Sequence, residues 1–448
     1  MSNLLPEIEL FGSNIPWLDG LRSRGSAAFN MPTAKTEAWK YTKLHALKRD
    51  DFVYLPSKFL EELEGLADED EDCGCGCGCE HHHHEHEGCG CGGHCSCAHK
   101  PKLYIDLPFD AYQIHFYNGK FMPLYPALPL GVKVMTLMQA VVEGEAKNYV
   151  GKYIDMEKYP FAALNSAALE EGLFIKIDSG VVLEKPLMFV YHTQTDEHII
   201  GNIRNVFVAG RDSKMKIIEY YCHVGADKDC YFNNIVNEFY LSQQAEIKHY
   251  KFQDEAFKAI HIALNYVRVR EDGFYKSFCL QKGADLGRNE TKVDLLQESA
   301  KAQVDAAYIM NGWATLDTTT DIEHLSPKTE SDQLIKGVVG GEARGVFQGK
   351  ITIVKDAQET EGHQLHRALL LSDTAEVDVK PELEIFADNV KCSHGAACGE
   401  IDQNQLFYMR SRGIGEEEAR QILIDAYLSE VIDRIDDEQI KKWVNSNV

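Results

Sequence analysis

Two groups of residues in this chain have the types and spacing for chemistry. The first is "CGCGCGCEHHHHEHEGCGCGGHCSCAH", which runs from Cys73 to His99 and holds eight cysteines and seven histidines. Its candidate metal ligands are Cys73, Cys75, Cys77, Cys79, His81, His82, His83, His84, His86, Cys89, Cys91, His94, Cys95, Cys97 and His99. Alternating Cys-Gly-Cys lets neighbouring thiolates share one ion or bridge two, and four ligands per tetrahedral ion would allow about three sites. Thiolate with imidazole suits divalent or cuprous ions. Between Asp72 and Lys100 there is no large aliphatic or aromatic residue, so nothing apolar offsets the entropy of ordering the loop. Exchangeable binding, as in a metal buffer, is expected rather than a structural site.

The second group is "ADNVKCSHGAACGEID" (387–402). Cys392 and His394 stand two apart at the end of an apparent strand, so both side chains point to one face and can reach one metal or cluster atom. Soft thiolate with imidazole fits iron–sulfur or zinc chemistry. Cys398 lies four residues further on and would join them if the chain stays extended. The plainer reading is a buried thiol beside a surface histidine.

Other chemistry lacks a motif. "GVVGGEARG" (337–345) has no Gly-Lys-Ser/Thr ending and reads as a turn between strands. GxSxG, HExxH and paired CxxC motifs do not occur. The formal charge of −24 disfavours nucleic acid or an anionic membrane as partner. Apolar runs such as "LMFVY" fall far short of the about 18 residues that span a bilayer. The opening "MSNLLPEIELFGSN" has no signal-peptide pattern. A cytoplasmic protein is expected, whose 13 cysteines serve as ligands or reactive groups rather than disulfides.

The elements that must position these groups follow from periodicity. Residues 14–65 read as helical, with Asn14 as N-cap and Gly25 as stop for the first helix, and with "SKFLEELEGLA" as a later one. Residues 1–66 form an N-terminal helical region and 67–100 an acidic, Cys/His-rich insert expected to be disordered. From about 103 to 410, short alternating segments such as "LFIKID", "KMKIIEYY", "AEIKHYKF", "GVFQGKITIV" and "LEIFADNVKC" read as strands. Few helical patterns separate them, which disfavours a βαβ sheet and leaves a sandwich, barrel or β-solenoid. No strict repeat decides among these. Residues 411–448 are helical again, with Ala419, Ile422, Leu423, Ala426, Tyr427, Val431 and Ile435 as the apolar stripe.

The stretch "LLLSDTAEVDVKPELEIFADNVKCSHGAACGEIDQNQLFYMRSRGI" (369–414) resembles the C-terminal core of the SufB/SufD family of SUF iron–sulfur cluster assembly proteins. So do residues 322–364, "FAALNSAALEEGLFIKIDSGVVLEKPL" (161–187) and "TEAWKYTKL" (36–44), and together the likeness covers roughly residues 15–60 and 103–430. "EAWKYT" and "KCSHGA" resemble the SufD branch rather than SufB, which carries a glutamate-rich stretch where this chain has Cys-Ser-His-Gly. The resemblance implies a mainly β fold, a right-handed parallel β-helix core (101–410) flanked by helical regions. It also implies assembly with a SufB-like paralogue and a SufC-like ABC ATPase, the latter docking on the C-terminal helices. His394 matches the family histidine at the SufB–SufD interface where a transient cluster is built, and Cys392 matches its neighbouring cysteine. The usual His-Gly-Ala-Thr is replaced here by Ala397 and Cys398 after "HGA". The Cys/His tract has no counterpart in the family. The expectation is a non-enzymatic SufD-like scaffold subunit. The alternative is a metal-buffering or metal-delivery protein acting through the tract, and a carbohydrate-active β-helix enzyme is remote because no rung face gathers carboxylates.

Overall fold

The computed structural model describes residues 4, 13–48, 52–55, 105–123, 125–223 and 229–447. Both "SKFLEELEGLA" and the Cys/His tract lie outside the described residues. The chain divides into a unit of residues 1–54 and 107–448 and a second unit of residues 55–106.

The larger unit is a parallel β-solenoid built from two sheets of ten strands each. From Ile199 onward the chain alternates between them. The first sheet takes strands Ile199–Ala209, Tyr231–Leu241, Ile260–Val269, Leu286–Leu295, Thr315–His324, Arg344–Ile353 and Glu376–Ile385. The second takes Lys214–His223, Glu246–Glu255, Phe274–Gly283, Lys301–Met310, Glu330–Val339, Thr360–Leu370 and Val390–Glu400. Each coil pairs in register with the next, as Leu286 with Thr315 and Thr315 with Arg344. "LEIFADNVKC", read above as one strand, is the end of one strand, a turn and the start of the next.

Period-2 alternation puts one face of each strand inside the solenoid. One half of that interior is apolar, with Phe207 stacked on Phe239 at 4.8 Å. The other half is polar, with side chains hydrogen-bonded from coil to coil. Asn205 donates to Asn237 and Asn237 to Asn265, both at 3.0 Å, while the Glu219 carboxylate takes His249 Nε2 at 2.5 Å and Asn237 Nδ2 at 2.8 Å. Burial raises the pKa of Glu219, but the hydrogen bond and charge of His249 outweigh it and bring it to about 2.

The turns leading into the second sheet repeat one backbone device. Asp212, Gln244, Asp272, Ser299, Lys328 and Glu359 all have φ between 54° and 60°. Each donates its N–H to a carbonyl in the next turn, for example Gln244 to Glu271 at 2.9 Å. Stacking of these turns sets the corner.

Among the described residues six helices accompany the sheets: α1 Pro16–Ala28, α2 Leu137–Val142, α3 Pro160–Ala167, α4 Gln403–Ser411, α5 Glu416–Ile432 and α6 Glu438–Asn445. Helix α1 starts from Ile15 rather than Asn14, because Pro16 favours the first turn. Gly25 is inside it, not at its end. A Cβ there would lie 2.6 Å from Ala163 O, so glycine is what lets α1 pack against α3. After α1, the described residues up to Lys48 hold only two short 3₁₀ turns, Glu37–Trp39 and Ala46–Lys48.

That segment is fixed by chemistry on the outer face of the first sheet. Trp39 is buried under the Arg288 guanidinium, 4.1 Å from its ring centroid, and packs on Phe161. Arg288 pairs with Glu290 and Asp317, and Thr42 Oγ1 donates to Asp317 Oδ2 at 2.6 Å. The C-terminal helices cover the second sheet in the same way. Lys216 pairs with Asp437, Lys248 and Lys276 with Asp436, and Lys336 with Glu430. Arg434 reaches Asp305 at 3.0 Å, and Trp443 packs edge-on against Phe252. Helix α5 contributes Glu430 to the pair with Lys336. Its buried residues are Ala419, Leu428, Val431 and Ile432, while Ile422 is 41% exposed and Ala426 is also exposed.

Trp39→Ala should therefore lower stability by about 3–5 kcal/mol, because it opens a cavity and uncovers a buried guanidinium. Urea unfolding checks this; a loss below 1 kcal/mol or so would mean the segment is not held by that side chain.

Candidate functional site at the open end of the solenoid

Cys392 and His394 lie on Val390–Glu400, the last strand of the second sheet. Its register with the strand below sets Cys392 opposite Gly362, His394 opposite Gln364, Ala396 opposite His366 and Cys398 opposite Ala368. Gly362, Gln364, His366 and Ala368 are all buried on the inward face, so the same face of the last strand carries Cys392, His394, Ala396 and Cys398. No coil follows to cover it: Val390–Glu400 and Glu376–Ile385 are the terminal members of their sheets. Cys392 is half-buried, while His394 and Cys398 are exposed. The end of the solenoid is open, with inward-facing groups uncovered.

Apolar surface accompanies them. Val377, Val379 and Leu383 are half-buried in the last strand of the first sheet. Ile385 and Phe386, at 40% and 63% exposure, turn toward solvent. One coil below, His366 and Phe347 form a packed floor, and Tyr308 reaches up to it past Gly337 from Lys301–Met310, two strands further down the second sheet. Tyr308 Oη and His366 Nε2 are 2.8 Å apart, and the His366 ring stacks on Phe347 at 5.1 Å. This floor was not singled out in the sequence; "HQLHR" shows only alternation.

The electrostatics follow from position. Burial pushes the Cys392 thiol above its ordinary pKa, opposed by a hydrogen bond to the backbone of Gly362. Burial raises the Cys398 thiol too. Neither thiol is activated as a nucleophile, so deprotonation has to be driven by an incoming ion. Ser393 points the other way, its hydroxyl 2.8 Å from His363 Nδ1.

Geometry separates the expected ligands. Residues two apart on a strand are roughly 6.6 Å apart along it, within reach of one metal atom for Cys and His side chains. Cys398 lies on the same continuous strand, roughly 13 Å from His394, too far to share that atom. The condition set for its joining them, an extended chain, is met, and that extension is what carries it out of reach. Among the described residues no group of three or more His, Cys, Asp or Glu converges to hold a metal ion. The open end brings together two candidate ligands, not a complete set. The tract Cys73–His99 is outside the described residues.

Below the open end, α4 begins two residues after the strand, capped by Asp402, whose side chain accepts from Asn404 N at 2.8 Å. Phe407 and Tyr408 are 72% and 58% exposed on it.

A parallel β-solenoid with helices at both ends is the class of fold, and comparison with known proteins agrees. Residues 192–427 match the family described as "SUF system FeS cluster assembly, SufBD core domain". An iron–sulfur cluster assembly SufBD family protein of Synechocystis is 32% identical over 332 residues, 71% of this chain and 73% of that protein. The iron–sulfur cluster assembly protein SufD of Escherichia coli is 26% identical over 426 residues, 93% of this chain and 88% of that protein. SufD of Bacillus subtilis is 27% identical over 311 residues, 67% of this chain and 70% of that protein. The chain belongs to the SufB/SufD family of the SUF iron–sulfur cluster assembly system.

Burial depresses His366 to about 4 and, deeper in the solenoid, His324 to about 3. Both stay neutral in the fold, whereas in the unfolded chain they bind protons at an ordinary pKa near 6.5. Their contribution to stability is complete above about pH 6.5 and is lost as pH falls through their folded values. His366→Gln should flatten the fall in the urea midpoint between about pH 6.5 and 4. An unchanged slope in the variant would show that His366 is not a source of it.

Proposed function

We propose that the chain is a SufD-type scaffold subunit that shares a nascent iron–sulfur cluster, its cargo, with a SufB-like paralogue. The observation that carries this is the open end: two unpaired strand edges, an apolar rim, and Cys392 and His394 side by side on the uncovered inner face. An unpaired edge of this length is a template for strand addition, and a second solenoid stacked end to end would cover it. The partner would then complete the ligand set that Cys392 and His394 begin. His394 serves as a neutral nitrogen ligand, and Cys392 as a thiolate or a positioning residue. The exposed side of α4 and α5, with Phe407, Tyr408 and Ile422, is the proposed dock for a SufC-like ABC ATPase. ATP hydrolysis there would shift the pair so that the covered site opens to iron and sulfide. The subunit itself has no catalytic role on this reading and works in the cytoplasm, without nucleic acid or membrane. Among the described residues no helix is long and apolar enough to cross a membrane.

The test is co-expression with the paralogue and ATPase, anaerobic purification, and iron and sulfide analysis. His394→Ala should cut bound iron and sulfide several-fold and leave all three subunits together, because the stacked interface far exceeds one imidazole. Cys398→Ser should retain the cluster, in keeping with its distance along the strand. A normal cluster yield in the His394 variant sinks the assignment.

For the Cys73–His99 tract we infer a separate role as an exchangeable store of divalent or cuprous ions. The reading rests on its sequence, fifteen Cys and His side chains in 27 residues with no large apolar residue among them. Deleting residues 70–100 should remove bound zinc or copper while complex formation and cluster yield under ample iron stay unchanged. Loss of cluster formation in the deletion would make the tract part of the assembly site and overturn this reading.

A further inference from the structure

On the outer face of the first sheet, away from the open end, a cleft of about 330 Å³ lies between the corner turns and the segment that follows Asn148. Gly151 fixes that segment: its N–H donates to Glu238 Oε1 at 2.9 Å. Tyr240 stiffens the wall, its hydroxyl 2.8 Å from both Tyr149 O and Glu238 Oε2 and able to donate to either. The lining includes Lys152, Arg268 and Arg270 and no carboxylate. In a chain with 70 acidic and 46 basic residues, three cations gathered in one concavity call for a counter-charge.

The three are poorly neutralised. The Arg268 guanidinium lies over the Tyr153 ring, 3.5 Å from its centroid. Its Nε is buried without a hydrogen-bond acceptor, and the near carboxylate oxygen, Asp294 Oδ2, is 3.9 Å away. Asp294 is already engaged by the Tyr266 hydroxyl at 2.6 Å and Lys292 Nζ at 3.3 Å. Lys152 and Arg270 are exposed, with no ion pair among the described residues. Ser242 adds a hydroxyl at the rim.

We propose that this cleft binds a small phosphate-bearing anion, either a free polyphosphate or the phosphate of an organic ester. Two arginines present planar donor forks that match phosphate oxygens, and the lysine adds a point charge. The volume fits a small molecule. The neighbouring turn continues as Glu271 and Asp272, which repel an extended polyanion, so a nucleic acid strand does not suit the cleft. The stacked Arg268 is held in place before binding, which lowers the entropic cost of fixing it.

The experiment is isothermal titration of the full chain at low ionic strength, where charge contacts are least screened. Sodium pyrophosphate and adenosine 5′-monophosphate are the two probes. Saturable binding of either at one site is expected, and the tighter of the two tells a free polyphosphate from an ester. The Lys152→Gln/Arg270→Gln double variant should weaken that binding by about tenfold or more through lost charge-assisted contacts. Both positions are exposed, so its thermal midpoint should match the parent and separate lost binding from lost folding. Absence of saturable binding by either probe overturns the proposal. So does equal affinity in the double variant, or displacement by sodium chloride as effective as by sodium sulfate at matched ionic strength.

Discussion

A solenoid strand has its backbone groups satisfied only when a coil lies on each side of it, and everything else in this fold answers that constraint. At the N-terminal end the answer is internal. Lys120–Phe121 pairs antiparallel with Tyr112–Tyr117, and Val132–Thr136 with Leu173–Ile177, so each sheet ends on a short reversed strand. At the C-terminal end there is no such answer. Strands of ten and eleven residues, Glu376–Ile385 and Val390–Glu400, end the sheets with free edges. Native proteins usually blunt a long edge with charge, bulges or a cover. Here the chain turns away into α4 and leaves the edge open, which is costly unless something else covers it.

The same constraint explains where the charges are. A parallel solenoid has two outer faces, and both must be shielded or solvated. The N-terminal segment shields the first through Trp39, Thr42 and the Arg288–Asp317 pair. Helices α5 and α6 shield the second through lysines at Lys216, Lys248, Lys276 and Lys336. These cations are held between two surfaces, and removing one partner leaves a charge without compensation, which is far costlier than losing an exposed pair. Chain ends that lie far apart in sequence from the coils they cover are thus tied to them by specific charges. Apolar area alone would let the helices slide or rotate.

Those charges also decide what was legible. Strands such as Lys214–His223 and Arg344–Ile353 announce themselves because apolar and polar residues alternate along them. "LGRNETKVDL" (286–295) and "TLDTTTDIEH" (315–324) do not. Arg288, Glu290 and Asp317 occupy their outer faces and are buried only because another segment covers them, while Asn289, Thr318 and Thr320 line the polar half of the interior. Local alternation carries no sign of that covering. The repeat was hidden for a related reason. What recurs at each corner is a left-handed backbone angle, met by Asp, Gln, Asp, Ser, Lys and Glu in turn, so identity does not repeat although geometry does. The family resemblance supplied the solenoid where composition left three architectures open. The predicted apolar stripe holds at Ala419, Val431 and Ile435, which are buried, and fails at Ile422 and Ala426, which are exposed.

The candidate site was legible in type and misjudged in reach. Cys392 and His394 share a face because two is the period of a strand, and that inference needs nothing beyond the sequence. Cys398 was to join them if the chain stayed extended; the strand does run extended to Glu400, and that extension carries Cys398 roughly 13 Å beyond His394. The consequence is a limit on ligand number. A tetrahedral metal takes four ligands, and this end of the solenoid offers two on one face, with aliphatic and aromatic side chains beside them. An isolated pair of this kind would hold a metal weakly and in the open. On the proposed reading that weakness is functional: the cluster can form only when a second chain closes the edge and adds its own ligands, and it can leave when the two part. The open strand edge and the incomplete ligand set are then one feature, since the partner that satisfies the backbone is also the one that completes the site.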